Sequence, residues 1–189
     1  MVPVPDDELP VRAAVSFWLD AHDRAAPFEE VLGGVGVRRA GYLVTESMYR
    51  DYGDNPHAPA RDWPDGERSP GIATLTVFDK PASMDDDDFY AHWYGHQSPM
   101  SEAMQPRSRY VRNAVARTLT RGAPRYRAIV EEAWPSVEHL SDLFCFFGAA
   151  NGDELGENIR VMLDSMKRLA DPATLRNYPL SEYVLRTPS

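Results

Sequence analysis

From Gly71 to the C-terminus the sequence predicts a soluble α+β sandwich of the ferredoxin-like kind, and three observations predict it. Gly71-Ile72-Ala73-Thr74-Leu75-Thr76-Val77-Phe78 is apolar and mostly β-branched, the composition that suits a pleated surface. Arg109 to Thr118 alternates, with Tyr110, Arg112, Ala114 and Ala116 on one face and Val111, Asn113 and Val115 on the other. Asp153 to Leu169 carries Leu155, Ile159, Met162, Leu163 and Met166 at helical spacing.

The remaining elements follow in chain order. Residues 1–10 read as a flexible arm. Ala13-Ala14-Val15-Ser16-Phe17-Trp18-Leu19 reads as a strand, although so short an apolar run also suits a helix. Pro27 to Leu32 has proline at a first helical position and acids in the first turn, and Gly33-Gly34 stops it. Val37 to Tyr49 reads as a strand. Residues 51–70 are dense in turn formers and mark a linker or functional loop. After the first strand of the sandwich, Ser83 is a natural N-cap and Asp85 to Asp88 suit the positive end of a helix dipole. That helix is expected to reach about Met104, with Pro99 bending or interrupting it. Thr120 to Pro124 is turn chemistry, and Tyr126 to Ala133 is the returning strand of a hairpin. Ser136 opens a helix, and Tyr183-Val184-Leu185 is a short closing strand.

The order strand, helix, strand, strand, helix, strand is a split βαβ arrangement. Residues 13–49, read as strand, helix, strand, look like a partial repeat of it. The expected division is residues 1–70 as an N-terminal partial unit with linker and residues 71–189 as the main domain. Such a sheet carries helices on one face, so its other face must be covered by the N-terminal piece or by a second subunit.

Composition limits the function. Hydrophobic residues make up 43% and charged residues 26%, a globular balance. The net charge of -9 argues against nucleic acid, which needs a basic face. Arginines 107, 109, 112, 117, 121, 125 and 127 form a local basic run whose spacing suits the solvent side of a strand pair. A single cysteine, Cys145, excludes an internal disulfide and reads as a small buried hydrophobe. The acidic, proline-broken start lacks the pattern of a signal peptide, and no apolar stretch is as long as a membrane span, so a cytoplasmic protein without a membrane partner is expected.

The chemically suggestive cluster is Phe89-Tyr90-Ala91-His92-Trp93-Tyr94-Gly95-His96-Gln97-Ser98-Pro99-Met100. It resembles the first-helix motif of the EthD-like family in the dimeric α/β-barrel superfamily, with Phe89, His92-Trp93, Pro99 and Met100 in register. Arg109 to Asn113 resembles the strand that follows in that family. Ala128-Ile129-Val130-Glu131-Glu132-Ala133-Trp134 resembles the next, where an acid and an aromatic precede a helix. The resemblance covers residues 71–189 and implies a homodimer. The family's pocket histidine position falls on Gln97, while His96 stands one residue earlier. Since one residue turns a side chain by about 100° on a helix, either an irregularity near Gly95 presents His96 or the pocket uses Gln97.

His92 and His96, four residues apart, share a helix face and could hold a metal only if a third ligand converged; no metal and no cofactor are expected. The resemblance implies a cofactor-independent enzyme, of isomerase, dehydratase or decarboxylase type, acting on a cyclic or aromatic carbonyl compound. In that scheme His96 would be the base, Tyr110 or Gln97 would hold the enolate oxygen, and His92, Trp93, Tyr126 and Trp134 would contact substrate. The alternative is a binding or accessory protein using the same pocket without turnover.

Overall fold

A computed structural model describes residues 10–35 and 38–187. The flexible arm expected at the N-terminus lies, but for Pro10, outside the described residues. After a 3-10 turn at His22–Ala25 and the helix α1 (Ala26–Gly34), the chain forms β1 (Tyr42–Arg50) and β2 (Ile72–Phe78). Next come α2 (Asp86–His92), a π-helical turn (Trp93–Gln97) and α3 (Ser98–Met104). The hairpin β3 (Arg109–Thr118) and β4 (Ala128–Trp134) leads into the short helices α4 (Glu138–Ser141) and α5 (Leu143–Phe147), the long α6 (Gly152–Leu169) and β5 (Arg176–Leu180).

The result is an α+β fold with one five-stranded sheet in the order β1-β3-β4-β2-β5, and every neighbouring pair is antiparallel. The connectivity from β2 to β5 is compatible with a ferredoxin-like arrangement. β1 extends the sheet beyond β3, pairing Tyr42 with Thr118 through to Arg50 with Tyr110, with register shifts at Leu43/Val44 and Met48/Arg50. β1 therefore belongs to the same sheet as β2 to β5.

Three expectations need correction. Ala13 to Leu19 forms no strand, so the described residues hold no N-terminal β-α-β repeat. The segment crosses the sheet face opposite the helices instead, held by side chains. Val11 packs against the Leu75, Val77 and Tyr178 cluster, Ser16 Oγ donates to Glu131 at 3.1 Å, and Phe17 stacks on Phe28 at 4.4 Å. An apolar run becomes a strand only with a partner edge to bond, and both edges of this sheet lie elsewhere. The closing strand is Arg176–Leu180 rather than Tyr183 to Leu185. Pro179 hid it, because proline inside a run argues against a strand unless that strand is an edge, as here. Tyr183 makes only an isolated bridge to Arg68. The helix cap is Asp85, whose carboxylate accepts from the Asp88 N–H at 2.7 Å, not Ser83.

The core lies between the sheet and the helices. Phe78, Phe89, Trp93, Tyr110, Ala128, Val130, Leu169 and Ala170 are buried together, with Phe78, Phe89 and Trp93 meeting edge-on or tilted at 5.5–6.3 Å. Each such ring contributes about 2–3 kcal/mol by leaving water. The loop over residues 51–70 is tied to the turn before β3 and to the C-terminal segment. Asn55 donates to the Ser108 carbonyl, Tyr52 to Glu182, and Arg61 to Thr187.

Gly71 sets the start of β2. Its φ is +76°, and a Cβ there would stand 2.0 Å from the Trp134 carbonyl oxygen. Gly71→Ala is expected to cost at least about 2 kcal/mol, from left-handed strain plus a backbone clash, as measured by urea unfolding of the purified chain.

Candidate functional site

A cavity of about 370 Å³ opens between the sheet and the helices, within the range of small-molecule sites. Its floor is the helix-facing side of β2, β3 and β4, with Thr74, Thr76, Phe78, Tyr110, Val130, Glu132 and Trp134. The walls are Trp93 and Gln97 from the π-turn and Met162, Met166 and Leu169 from α6. The rim includes Asp142 and Phe146, whose ring stacks on Trp134 at 4.9 Å.

The π-turn decides which residue enters. In it the Ser98 N–H bonds to the Trp93 carbonyl, five residues back, and the Ser98 hydroxyl bonds to the same oxygen at 2.9 Å. Pro99 follows directly; it has no N–H and its ring crowds the carbonyl four residues earlier, so a widened turn before it relieves both problems. The extra residue shifts the helical phase. Gln97 turns inward and is 6% exposed, whereas His96 is exposed and lies outside the cavity. Gln97 Nε2 donates only to the Met162 thioether at 3.3 Å, and its Oε1 has no partner among the described residues.

His92 is buried behind the cavity wall. Its Nε2 lies 3.0 Å from the Ser165 hydroxyl and 3.2 Å from the Ser165 carbonyl, and its ring stacks on His96 at 5.0 Å. Burial pushes its pKa down, opposed by the Ser165 carbonyl. Among the described residues no group of three or more His, Cys, Asp or Glu could hold a metal ion. Tyr126 lies on the opposite sheet face beside Tyr42, with ring centroids 5.9 Å apart. Of the residues singled out in the sequence, then, Trp93, Gln97, Tyr110 and Trp134 meet in the cavity, while His92, His96 and Tyr126 do not.

The polar end of the cavity rests on arginines that the sequence placed in solvent. Arg107 is 2% exposed. Its Nη1 meets Glu132 at 2.7 Å, and its Nη2 meets Glu102 at 3.0 Å and Ser101 at 3.1 Å. Arg50 meets the other oxygen of Glu102 at 3.0 Å, completing the series Arg50–Glu102–Arg107–Glu132. Burial alone would push the Arg107 guanidinium down, but the surrounding carboxylates carry it above its ordinary value. Its Cζ also lies 3.9 Å from the Tyr110 ring centroid. Burial raises the Tyr110 phenol, whose oxygen lies 3.2 Å from the Ser98 hydroxyl. Arg112, also buried, is held between the Tyr49 and Tyr94 rings at 4.7 and 4.2 Å and donates to Ser98 and Ser47.

Glu132 is a cavity residue that sequence reasoning missed. Its signal was positional: two residues before Trp134 on an alternating strand, it shares that ring's face. Cys145, expected to be buried, is exposed on α5. No helix among the described residues is long and apolar enough to cross a membrane.

Arg107→Met is expected to destabilise the fold by about 3–5 kcal/mol, because Glu102 and Glu132 lose their shared counter-charge. Arg107→Met with Glu132→Gln is expected to recover part of the loss; chemical denaturation of both variants checks this. Comparison of the chain with protein-family models and with curated proteins finds no match.

Proposed function

We propose that this is an EthD-like protein of the dimeric α/β-barrel type, and that it takes a flat, mostly apolar small molecule in the cavity beneath the π-turn. On this reading it is a cofactor-independent enzyme of isomerase, dehydratase or decarboxylase type, acting on a cyclic or aromatic carbonyl compound. The observation that carries the proposal is the cavity itself. Aromatic and thioether walls enclose it on several sides, and a few polar groups converge at one end, the usual construction of a small-molecule site.

A pocket of this size and lining suits a bicyclic aromatic ketone, and 2-tetralone is the probe of choice. Saturation-transfer NMR on the full chain is expected to show binding in the micromolar to millimolar range. Met162→Trp, which fills the cavity from α6, is expected to weaken binding at least about tenfold, roughly 1.4 kcal/mol. Equal binding by Met162→Trp, or none by the native chain, would count against the pocket.

Self-association through the sheet face opposite the helices belongs to the same proposal. The N-terminal segment covers that face only in part, leaving Val15, Trp18 and Met48 between 42% and 59% exposed. Light scattering at micromolar concentration is expected to give twice the chain mass of 21.3 kDa, and a monomeric mass would remove the dimer.

A further inference from the structure

We infer that the Glu132 carboxylate is the proton acceptor of this site, and that the substrate is a neutral cyclic ketone or lactone with an acidic hydrogen beside its carbonyl. The inference rests on the cavity being a small-molecule site and deepens that reading.

Three observations carry it. The first is the position and freedom of the carboxylate. Glu132 lines the cavity, and its Oε1 is fixed by Arg107 at 2.7 Å. Its Oε2 receives only the Thr74 hydroxyl at 3.3 Å, a long contact, and that hydroxyl oxygen also accepts the Trp134 indole N–H at 3.3 Å. One oxygen is therefore oriented by a buried cation while the other keeps a lone pair for an incoming proton.

The second observation is charge. The acidic and basic side chains lining the cavity are Arg107, Glu132 and Asp142. Both Nη atoms of Arg107 are committed to Glu132, Glu102 and Ser101. The Arg107 Nε is buried without a partner among the described residues, but this one cation of the lining already answers two carboxylates, so a free acid would add a further negative charge that no second lining cation offsets. Neutral substrates fit, and carboxylates and phosphates do not.

The third is a donor for the charge that develops on proton removal. The Gln97 amide, 6% exposed, spends its N–H on a thioether, a weak acceptor. Exchanging that sulfur for an enolate oxygen is a gain.

The step balances without any further reagent. Oε2 takes the proton from the carbon beside the carbonyl. The electron pair of the broken C–H bond becomes the C=C bond of the enolate, and the carbonyl π pair moves onto oxygen, facing the Gln97 N–H. Returning the proton from the Glu132 carboxylic acid to carbon regenerates the ketone.

The test is hydrogen–deuterium exchange at C1 of 2-tetralone in heavy water, followed by proton NMR with the full chain. The native chain is expected to accelerate exchange above the buffer rate. Glu132→Gln, checked for folding by its thermal melt, is expected to lower that acceleration at least about 100-fold while leaving probe binding by saturation transfer within a few-fold. Gln97→Leu is expected to lower kcat more than it raises KM. Should Glu132→Gln not fold, the native pH profile decides. A rate lost as the pH falls through the range in which protein histidines ordinarily titrate, about pH 7.5 to 5.5, would assign the proton to a histidine and overturn the inference, and a rate unchanged across that range supports it. Loss of exchange in His96→Ala with none in Glu132→Gln would overturn it too. Binding of 2-tetralone without exchange by the native chain overturns the role of Glu132 and leaves the cavity reading standing, whereas absence of binding removes both.

Discussion

Neutralisation of one buried guanidinium holds the working end of this molecule together. Arg107 leaves water almost completely, and an isolated charge cannot do that without large cost. Glu132 on the sheet and Glu102 on the helix layer answer it from two sides, and Arg50 on the outermost strand answers Glu102 in turn. The pairing joins β1, α3, β4 and the turn before β3 into one electrostatic unit. It also fixes the rotamer of the carboxylate that faces the cavity, so the element that secures the fold and the one that shapes the site are the same residues.

The phase of the helix above the sheet is the second constraint. A regular helix from Asp86 to Met104 would place His96 and Gln97 by simple rotation. The π-turn ahead of Pro99 adds one residue, which brings Gln97 over the sheet and leaves His96 against His92 on the outside. Among the described residues the cavity lining therefore holds no imidazole, and the polar groups facing the space are carboxylates, hydroxyls, amides and one guanidinium.

Sheet and helix periodicities were legible because they are local. The strand at Ile72–Phe78, the alternating strand at Arg109–Thr118 and the amphipathic helix ending at Leu169 all form where their side-chain patterns place them. What the sequence hid was non-local or exceptional. Val15, Phe17 and Trp18 look like a strand, but no free edge receives them. Pro179 masks an edge strand that proline is permitted to occupy. Arg107 and Arg112 look solvated until Glu102 and Glu132, or Tyr49 and Tyr94, are brought beside them by folding. Of the cavity lining, Trp93, Tyr110 and Trp134 could be read from the motif and the two strands after it. The choice between His96 and Gln97 could not, because it turns on a single inserted residue in a hydrogen-bond ladder.

The two borders of the sheet carry a consequence for how copies of this chain can meet. On one side, Pro179 interrupts the row of amide donors along β5; on the other, the register shifts at Leu43/Val44 and Met48/Arg50 break the even spacing of β1. Neither margin offers the straight ladder that a further strand would need to prolong the sheet. Growth by strand addition is disfavoured at both margins, so the strands that Ile72–Phe78 and Arg109–Thr118 supply cannot template an open-ended stack of copies.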